Sequence, residues 1–202
     1  MRGMMKNISN TNAVYKTIGA SNGVEEDREI NDYYATDPIA IELLLNEVEF
    51  DHSIWEPACG DGGLSKVLEK SGYEVKSTDL IYRGYGEGGI DFLSCSEKWD
   101  GDIITNPPYK QAQEFIERAL SIVRPGNKIC MFLKLTFLEG KKREKLFSEF
   151  PPKYIYVSRK RILCAKGGDF EALKNSGGSA IAFAWFVWEK GYQGDPAVKW
   201  FN

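Results

Sequence analysis

Along this chain, two hydrophobic rhythms take turns. Short apolar runs of strand type lie at 53–57, 74–78, 102–105 and 128–133, and a briefer one at 90–92. Between them, apolar residues recur at helical spacing. Asp37-Pro38 starts the first such stretch as an N-cap followed by a first-turn proline, with Ile39, Leu43, Leu44 and Val48 as its stripe. Leu64, Val67 and Leu68 give a second helix over 64–70, closed by Gly72. Phe115, Ile116, Ala119 and Leu120 give a third over 111–123, ended by Pro125-Gly126, and a fourth, amphipathic, runs over 141–150 to Pro151-Pro152. Residues 153–157 and 180–188 read as the last two strands. The segment 158–179 between them is basic and glycine-rich, without a strong period. Strands alternating with helices predict an α/β fold, a mostly parallel sheet with helices on both faces. The last two strands lack an intervening helix, so one strand in the edge region runs antiparallel. Ligands of such sheets sit beyond the carboxyl ends of the central strands.

Outside this pattern lies a polar arm over residues 1–30, ending in Glu25-Glu26-Asp27 and expected to be partly disordered. The 202 residues, 43% hydrophobic and 13% aromatic, suit one domain with a full core. The longest apolar run is about half the length a membrane span needs. With no secretion pattern at the N-terminus, the expected location is cytoplasmic, with reduced thiols. Cys59, Cys95, Cys130 and Cys164 are scattered singly, and His52 is the one histidine. No metal site and no His-based triad is therefore expected. The net charge of −3 excludes a chain that lives on non-specific DNA affinity. Any nucleic-acid contact must come from local clusters such as Arg159-Lys160-Arg161.

The most concentrated chemistry stands at the tip of the 102–105 strand. Ile103 and Ile104 read as its buried end, and Pro107-Pro108 forbids both further pairing and an immediate helix. Asn106, a run of stiffened carbonyls and the Tyr109 ring are thereby held together. That set suits a flat group bearing an exocyclic –NH2, whose protons an amide oxygen and a carbonyl accept while the ring stacks on its face. Nearby, the octet Glu56-Pro57-Ala58-Cys59-Gly60-Asp61-Gly62-Gly63 ends one strand and enters a helix. Its glycines let a ligand approach the backbone. From Gly60 the dinucleotide pattern G-x-G-x-x-G fails at Ser65, which argues against a nicotinamide cofactor. Asp79 ends the next strand, where an acidic residue can hold ribose hydroxyls.

Asn106-Pro107-Pro108-Tyr109 after an apolar strand resembles motif IV of the amino-methyltransferases. The octet is similar to motif I of class I S-adenosylmethionine-dependent methyltransferases, in the Glu-Pro-x-Cys-Gly-x-Gly form of the DNA amino-methyltransferases. Asp91-Phe92 resembles motif III, and residues 34–38 resemble motif X. The order X, I, IV is that of the gamma group of DNA N6-adenine methyltransferases, and the resemblance covers roughly residues 33–188. Length and polar lead segment are similar to those of small phage-encoded members.

The resemblance implies a Rossmann-like seven-stranded sheet, mostly parallel, in a single methyltransferase domain over 31–202 with no separate target-recognition domain. It implies S-adenosylmethionine as cofactor. Thr36, Asp37 and Pro38 would pack on its methionine end, Glu56, Pro57, Ala58, Cys59 and Gly60 would cradle it, and Asp79 with Leu80 would hold the ribose. Asp91 and Phe92 would take the adenine. Asn106, Pro107, Pro108 and Tyr109 would form the catalytic tip, and Asn106 would also touch the cofactor. The partner would be DNA, or RNA, with a flipped-out base, contacted by Lys110, Arg159, Arg161 and Phe170. Other readings stay open. Glutamine N5-methyltransferases also carry Asn-Pro-Pro-Tyr, but usually with an Asp-x-Gly-x-Gly motif I and an N-terminal helical domain, neither of which is present. RNA amino-methylation, and a non-catalytic module keeping the fold for binding, are the others. Cytosine N4-methylation fits less well, since that group more often has Ser in place of Asn106. C5 methylation requires a cysteine nucleophile after proline at this motif position, which is absent.

Overall fold

The computed structural model describes residues 33–175 and 181–201. The polar arm expected over residues 1–30 lies outside the described residues. Strand β1 (Tyr34–Thr36) leads into helix α1 (Ile39–Leu45), then β2 (Ser53–Glu56), α2 (Ser65–Lys70), β3 (Glu74–Ser77), β4 (Asp102–Thr105) and α3 (Ala112–Ile122). The chain continues through β5 (Lys128–Lys134), α4 (Glu144–Glu149), β6 (Tyr154–Ser158), β7 (Cys164–Lys166), α5 (Phe170–Asn175), β8 (Phe183–Glu189) and β9 (Ala197–Phe201). Seven strands form one sheet in the order β3-β2-β4-β5-β8-β6-β9. All are parallel except β8, which runs antiparallel to both neighbours and lies third from one end. This is the mostly parallel sheet with an antiparallel strand in the edge region that the sequence predicts. Strands β1 and β7 pair antiparallel in a ribbon of their own, with Tyr34 opposite Lys166 and Thr36 opposite Cys164.

Side-chain alternation in the strands supplies both faces. Ile103, Ile129, Met131, Leu133, Phe186 and Trp188 pack with α3 and α4, whereas Ile54, Ile104, Phe132, Trp185 and Val187 pack with α1 and α2. Two buried indoles fasten these layers. Trp185 Nε1 donates to the Ala40 carbonyl at 2.8 Å, and Trp188 Nε1 donates to Phe150 O at 2.9 Å. No helix among the described residues is long and apolar enough to cross a membrane.

Several local expectations change. Asp37 does cap α1, accepting the Ile39 N–H at 3.1 Å, but Ile39 is 40% exposed and the inward face is Ala40, Ile41 and Leu44. Small Ala40 lets the helix approach the sheet closely enough for the Trp185 bond. Residues 90–92 are not a strand. Asp91 accepts from Leu93 N at 3.0 Å and from the Ser94 hydroxyl at 2.6 Å, and so caps a 3-10 turn at Phe92–Ser94. A short carboxylate that satisfies its own turn outcompetes sheet pairing there. The fourth helix splits into a 3-10 turn, Lys141–Arg143, and α4. The segment 158–179 gains β7 and α5, and β9, not among the expected strands, adds a parallel edge to β6.

Candidate active site

Beyond the carboxyl ends of β2, β3 and β4, and under β1, lies a cleft of about 400 Å³. The octet forms one corner. Gly60 and Gly62 adopt φ +57° and +83°, and a Cβ on either would come within 2.4 Å of the Tyr33 ring or 2.5 Å of the Tyr85 ring. Glycine is thus required twice, for conformation and for closeness. Each tyrosine carries a cation on its ring: Arg83 at 4.3 Å from Tyr33 and Lys66 at 4.9 Å from Tyr85. Burial, with the Asp61 charge, pushes the Tyr33 hydroxyl up to about 12. Asp79 ties the turn to the end of β3, accepting Gly60 N at 2.9 Å on one oxygen and Ile81 N at 2.9 Å on the other. Leu80, 54% exposed, gives the cleft an apolar wall together with Ile90. Phe92 contributes to that wall from within the core, edge-on to Trp55 at 5.2 Å.

Glu56 ends β2 fully buried, its carboxylate taking the Ser65 hydroxyl, which in turn accepts from Ser77 at 2.7 Å. Burial pushes its carboxyl up from 4.5 to about 8, and the Asp79 and Asp61 charges add to this. The native state therefore holds a proton that the unfolded chain sheds above 4.5. The stabilisation is complete below that pH and is lost as pH rises through about 8. Glu56→Gln, neutral at every pH, is expected to flatten this decline. Urea midpoints of the two proteins across that range check it, and parallel curves would show that Glu56 is ionised in the fold.

The other corner is the tip of β4. Asn106 Nδ2 donates to the Tyr34 carbonyl at 3.0 Å and to Thr36 Oγ1 at 2.8 Å. A carbonyl can only accept, so the amide orientation is fixed. Oδ1 is left buried without a partner among the described residues. Tyr109 opens a 3-10 turn after Pro108. Its hydroxyl donates to Cys164 Sγ at 3.4 Å, its ring lies 5.6 Å from Tyr34 and 5.7 Å from Phe183, and the Lys134 ammonium stands 4.8 Å over it.

The cleft thus gathers Thr36, the 56–59 stretch, Asp79, Leu80, Asp91, Phe92 and the whole 106–110 stretch. Some expected residues lie elsewhere. Asp37 and Pro38 are outside the lining, committed to starting α1. Gly60 is covered by the Tyr33 ring. Arg159 and Arg161 line a separate hollow of about 340 Å³ beside Ile162 and Phe183. Phe170 begins α5 and lines neither space. Tyr33 and Arg83, for which the sequence raised no expectation, also line the cleft, as does Asp61, to which the octet gave no separate role. For Arg83, the glycine-rich 82–89 loop directly after Asp79 was the available signal. Among the described residues no three His, Cys, Asp or Glu side chains are grouped to hold a metal.

The fold is similar to several solved structures. One is described as a class I S-adenosylmethionine-dependent methyltransferase from Listeria monocytogenes, 15% identical over 88% of this chain and 68% of that one, with TM-score 0.55. Another, from Lactococcus lactis, is described as a hemolysin, 13% identical over 80% of this chain and 91% of that one, TM-score 0.56. A third, protein Atu636 from Agrobacterium tumefaciens, is described as an O-methyltransferase, 12% identical over 82% and 85%, TM-score 0.54. No protein-family model matches the chain, and neither does any curated protein. With its sheet order, its lone antiparallel strand and its helices on both faces, the chain has the class I Rossmann-like methyltransferase fold.

Proposed function

We propose that this protein transfers a methyl group from S-adenosylmethionine to an exocyclic amino group, that of adenine N6 in DNA. The observation that carries the reading is the buried oxygen of Asn106, without a partner among the described residues and fixed by its own NH2 group, on a residue that lines the cleft. An orphaned buried acceptor asks for a donor, and an amine supplies N–H bonds.

The residues fit the cofactor. Asp61, Asp79 and Asp91 line the cleft against Arg83 and Lys110, with the Glu56 carboxyl neutral below about 8, and the remaining acidic balance suits a ligand with a sulfonium, an ammonium and one carboxylate. Leu80 and Ile90 offer an apolar wall to its adenine, and Asp79 and Asp91 keep acceptor capacity for hydroxyl and amino groups beyond the N–H groups and the Ser94 hydroxyl they already hold. Bound there, S-adenosylmethionine supplies a methyl group on a good leaving group. The protein's task is alignment. Asn106 Oδ1 and the Pro107 carbonyl accept the amine's two N–H bonds and direct its lone pair into the cleft. As the nitrogen gains its methyl and turns tetrahedral, the same oxygens stabilise the positive charge until one proton passes to water. Tyr109 offers its ring to the flipped-out base.

Parallel incubation of DNA, RNA and protein pools with methyl-tritiated cofactor tests this. The expected result is label in DNA, recovered on adenine N6 and missing with Asn106→Ala. Label confined to RNA or to glutamine side chains would overturn the DNA assignment, and no label in any pool would overturn the enzyme. Arg159 and Arg161, exposed beside β6, supply phosphate contacts. Replacing both with alanine is expected to reduce the slope of log K against log salt by about 2. Anisotropy of a labelled duplex measures it, and an unchanged slope would remove these contacts.

A further inference from the structure

Thr36 lines the cleft, yet its hydroxyl is spent on the protein. It is 5% exposed, and its Oγ1 accepts from Asn106 Nδ2 at 2.8 Å. Across the β1–β7 ribbon the residue in register is Cys164. The Cys164 sulfur faces the Thr36 hydroxyl, receives the Tyr109 hydroxyl at 3.4 Å and lies 4.0 Å from Asn106 Nδ2. Both polar side chains of the β4 tip are therefore anchored on one short ribbon that joins segments far apart in sequence. Burial pushes the Cys164 thiol up to about 11 and keeps it neutral, an acceptor with an S–H of its own to give.

A carboxamide can offer a site either its oxygen or its NH2 group. Which one it offers is decided by what holds the other. With Tyr34 O and Thr36 Oγ1 taking both N–H bonds, only the oxygen is left. We propose that Thr36 and Cys164 are positioning residues: the β1–β7 ribbon holds the Asn106 carboxamide with its oxygen free for an amine and sets the Tyr109 ring beside it. The proposal rests on the amino-methylation reading, and it takes Thr36 out of the cofactor's ligands.

Thr36→Val, which keeps the shape and removes the acceptor, is expected to lower kcat for methyl transfer by roughly 10–100-fold, with the cofactor Kd within about twofold. Thr36→Ser restores the hydroxyl and is expected to recover most of kcat. Cys164→Ala releases the Tyr109 hydroxyl and is expected to raise the KM of the nucleic-acid acceptor more than it lowers kcat. A parallel loss of cofactor affinity and kcat in Thr36→Val would make Thr36 a ligand, and equal losses in Thr36→Val and Thr36→Ser would make it packing. Either result overturns the proposal. A readout independent of turnover is the side-chain NH2 resonance of Asn106, identified by its loss in Asn106→Asp. It is expected to exchange slowly with water in the wild type and quickly in Thr36→Val. Quick exchange in the wild type overturns the proposal even in an active enzyme. Protection in a wild type that methylates no acceptor sinks the functional reading while the positioning role stands.

Discussion

Asn106→Ala is expected to lower kcat for methyl transfer by roughly 10²–10³-fold, the loss typical of one preorganised polar contact to developing charge, while cofactor affinity stays within about threefold. The asymmetry follows from the geometry. Alanine deletes the oxygen that has no partner among the described residues and that the proposal assigns to the amine, but touches neither the glycine turn nor the Asp79 clamp at the other corner of the cleft. Asn106→Asp sharpens the test. It keeps an oxygen at the site but removes both donors, setting a carboxylate against the Tyr34 carbonyl and turning the Thr36 hydroxyl from acceptor to donor. The acid should therefore fail nearly as badly as alanine, although it looks the more conservative change. Single-turnover transfer and equilibrium cofactor binding, measured on proteins with matching melting curves, give the comparison. If alanine kept kcat within about fivefold, the carboxamide would have no part in the chemistry, and the case for an amine substrate would go with it.

What could be read beforehand follows the range of the forces involved. The β4 tip was legible because proline geometry is local: two prolines after an apolar strand stop the chain wherever it sits, and Asn106 and Tyr109 do line one cleft with the octet and Asp79. Gly60 and Gly62 were legible as a turn, but the Tyr33 and Tyr85 rings that make their hydrogens necessary were not. The pairing of β1 with β7 could not be seen. It joins three-residue strands more than 120 positions apart, too short to show an alternating pattern, within a segment whose glycines and cations suggested loop. The same blindness hid the partners of the Asn106 NH2 group, Tyr34, Thr36 and Cys164, which sit on that ribbon. Asp91 was misplaced for the opposite reason. Apolar neighbours on both sides suggested a strand, and the local preference of a short acid for capping its own turn decided the outcome.

Asp102→Ala is expected to cost about 3 kcal/mol or more of folding stability, a large share of what a domain of this size has. Asp102 opens β4 and is 1% exposed. Its Oδ2 accepts the Asp51 backbone N–H at 2.8 Å, ahead of β2. Its Oδ1 accepts the Lys128 N–H at 2.6 Å and the Asn127 amide at 3.2 Å, at the start of β5. One carboxylate thus binds the amino-terminal ends of three adjacent strands, and Trp99 Nε1 donates to its backbone carbonyl at 3.0 Å. Alanine would leave three donors to find water in a partly buried corner. Asparagine would restore a single acceptor and press its NH2 against an N–H, so it should rescue only part. Urea unfolding is expected to show a lower midpoint at an unchanged m-value, since the surface exposed on unfolding is the same. This corner lies at the end of the sheet opposite the cleft. The folded fraction of Asp102→Ala should therefore bind cofactor as the wild type does, a pattern inverse to that of Asn106→Ala. A loss below about 1 kcal/mol would mean that water replaces the carboxylate with little penalty, and that the register of β2, β4 and β5 is set by the packing of Ile54, Ile103 and Ile129 instead.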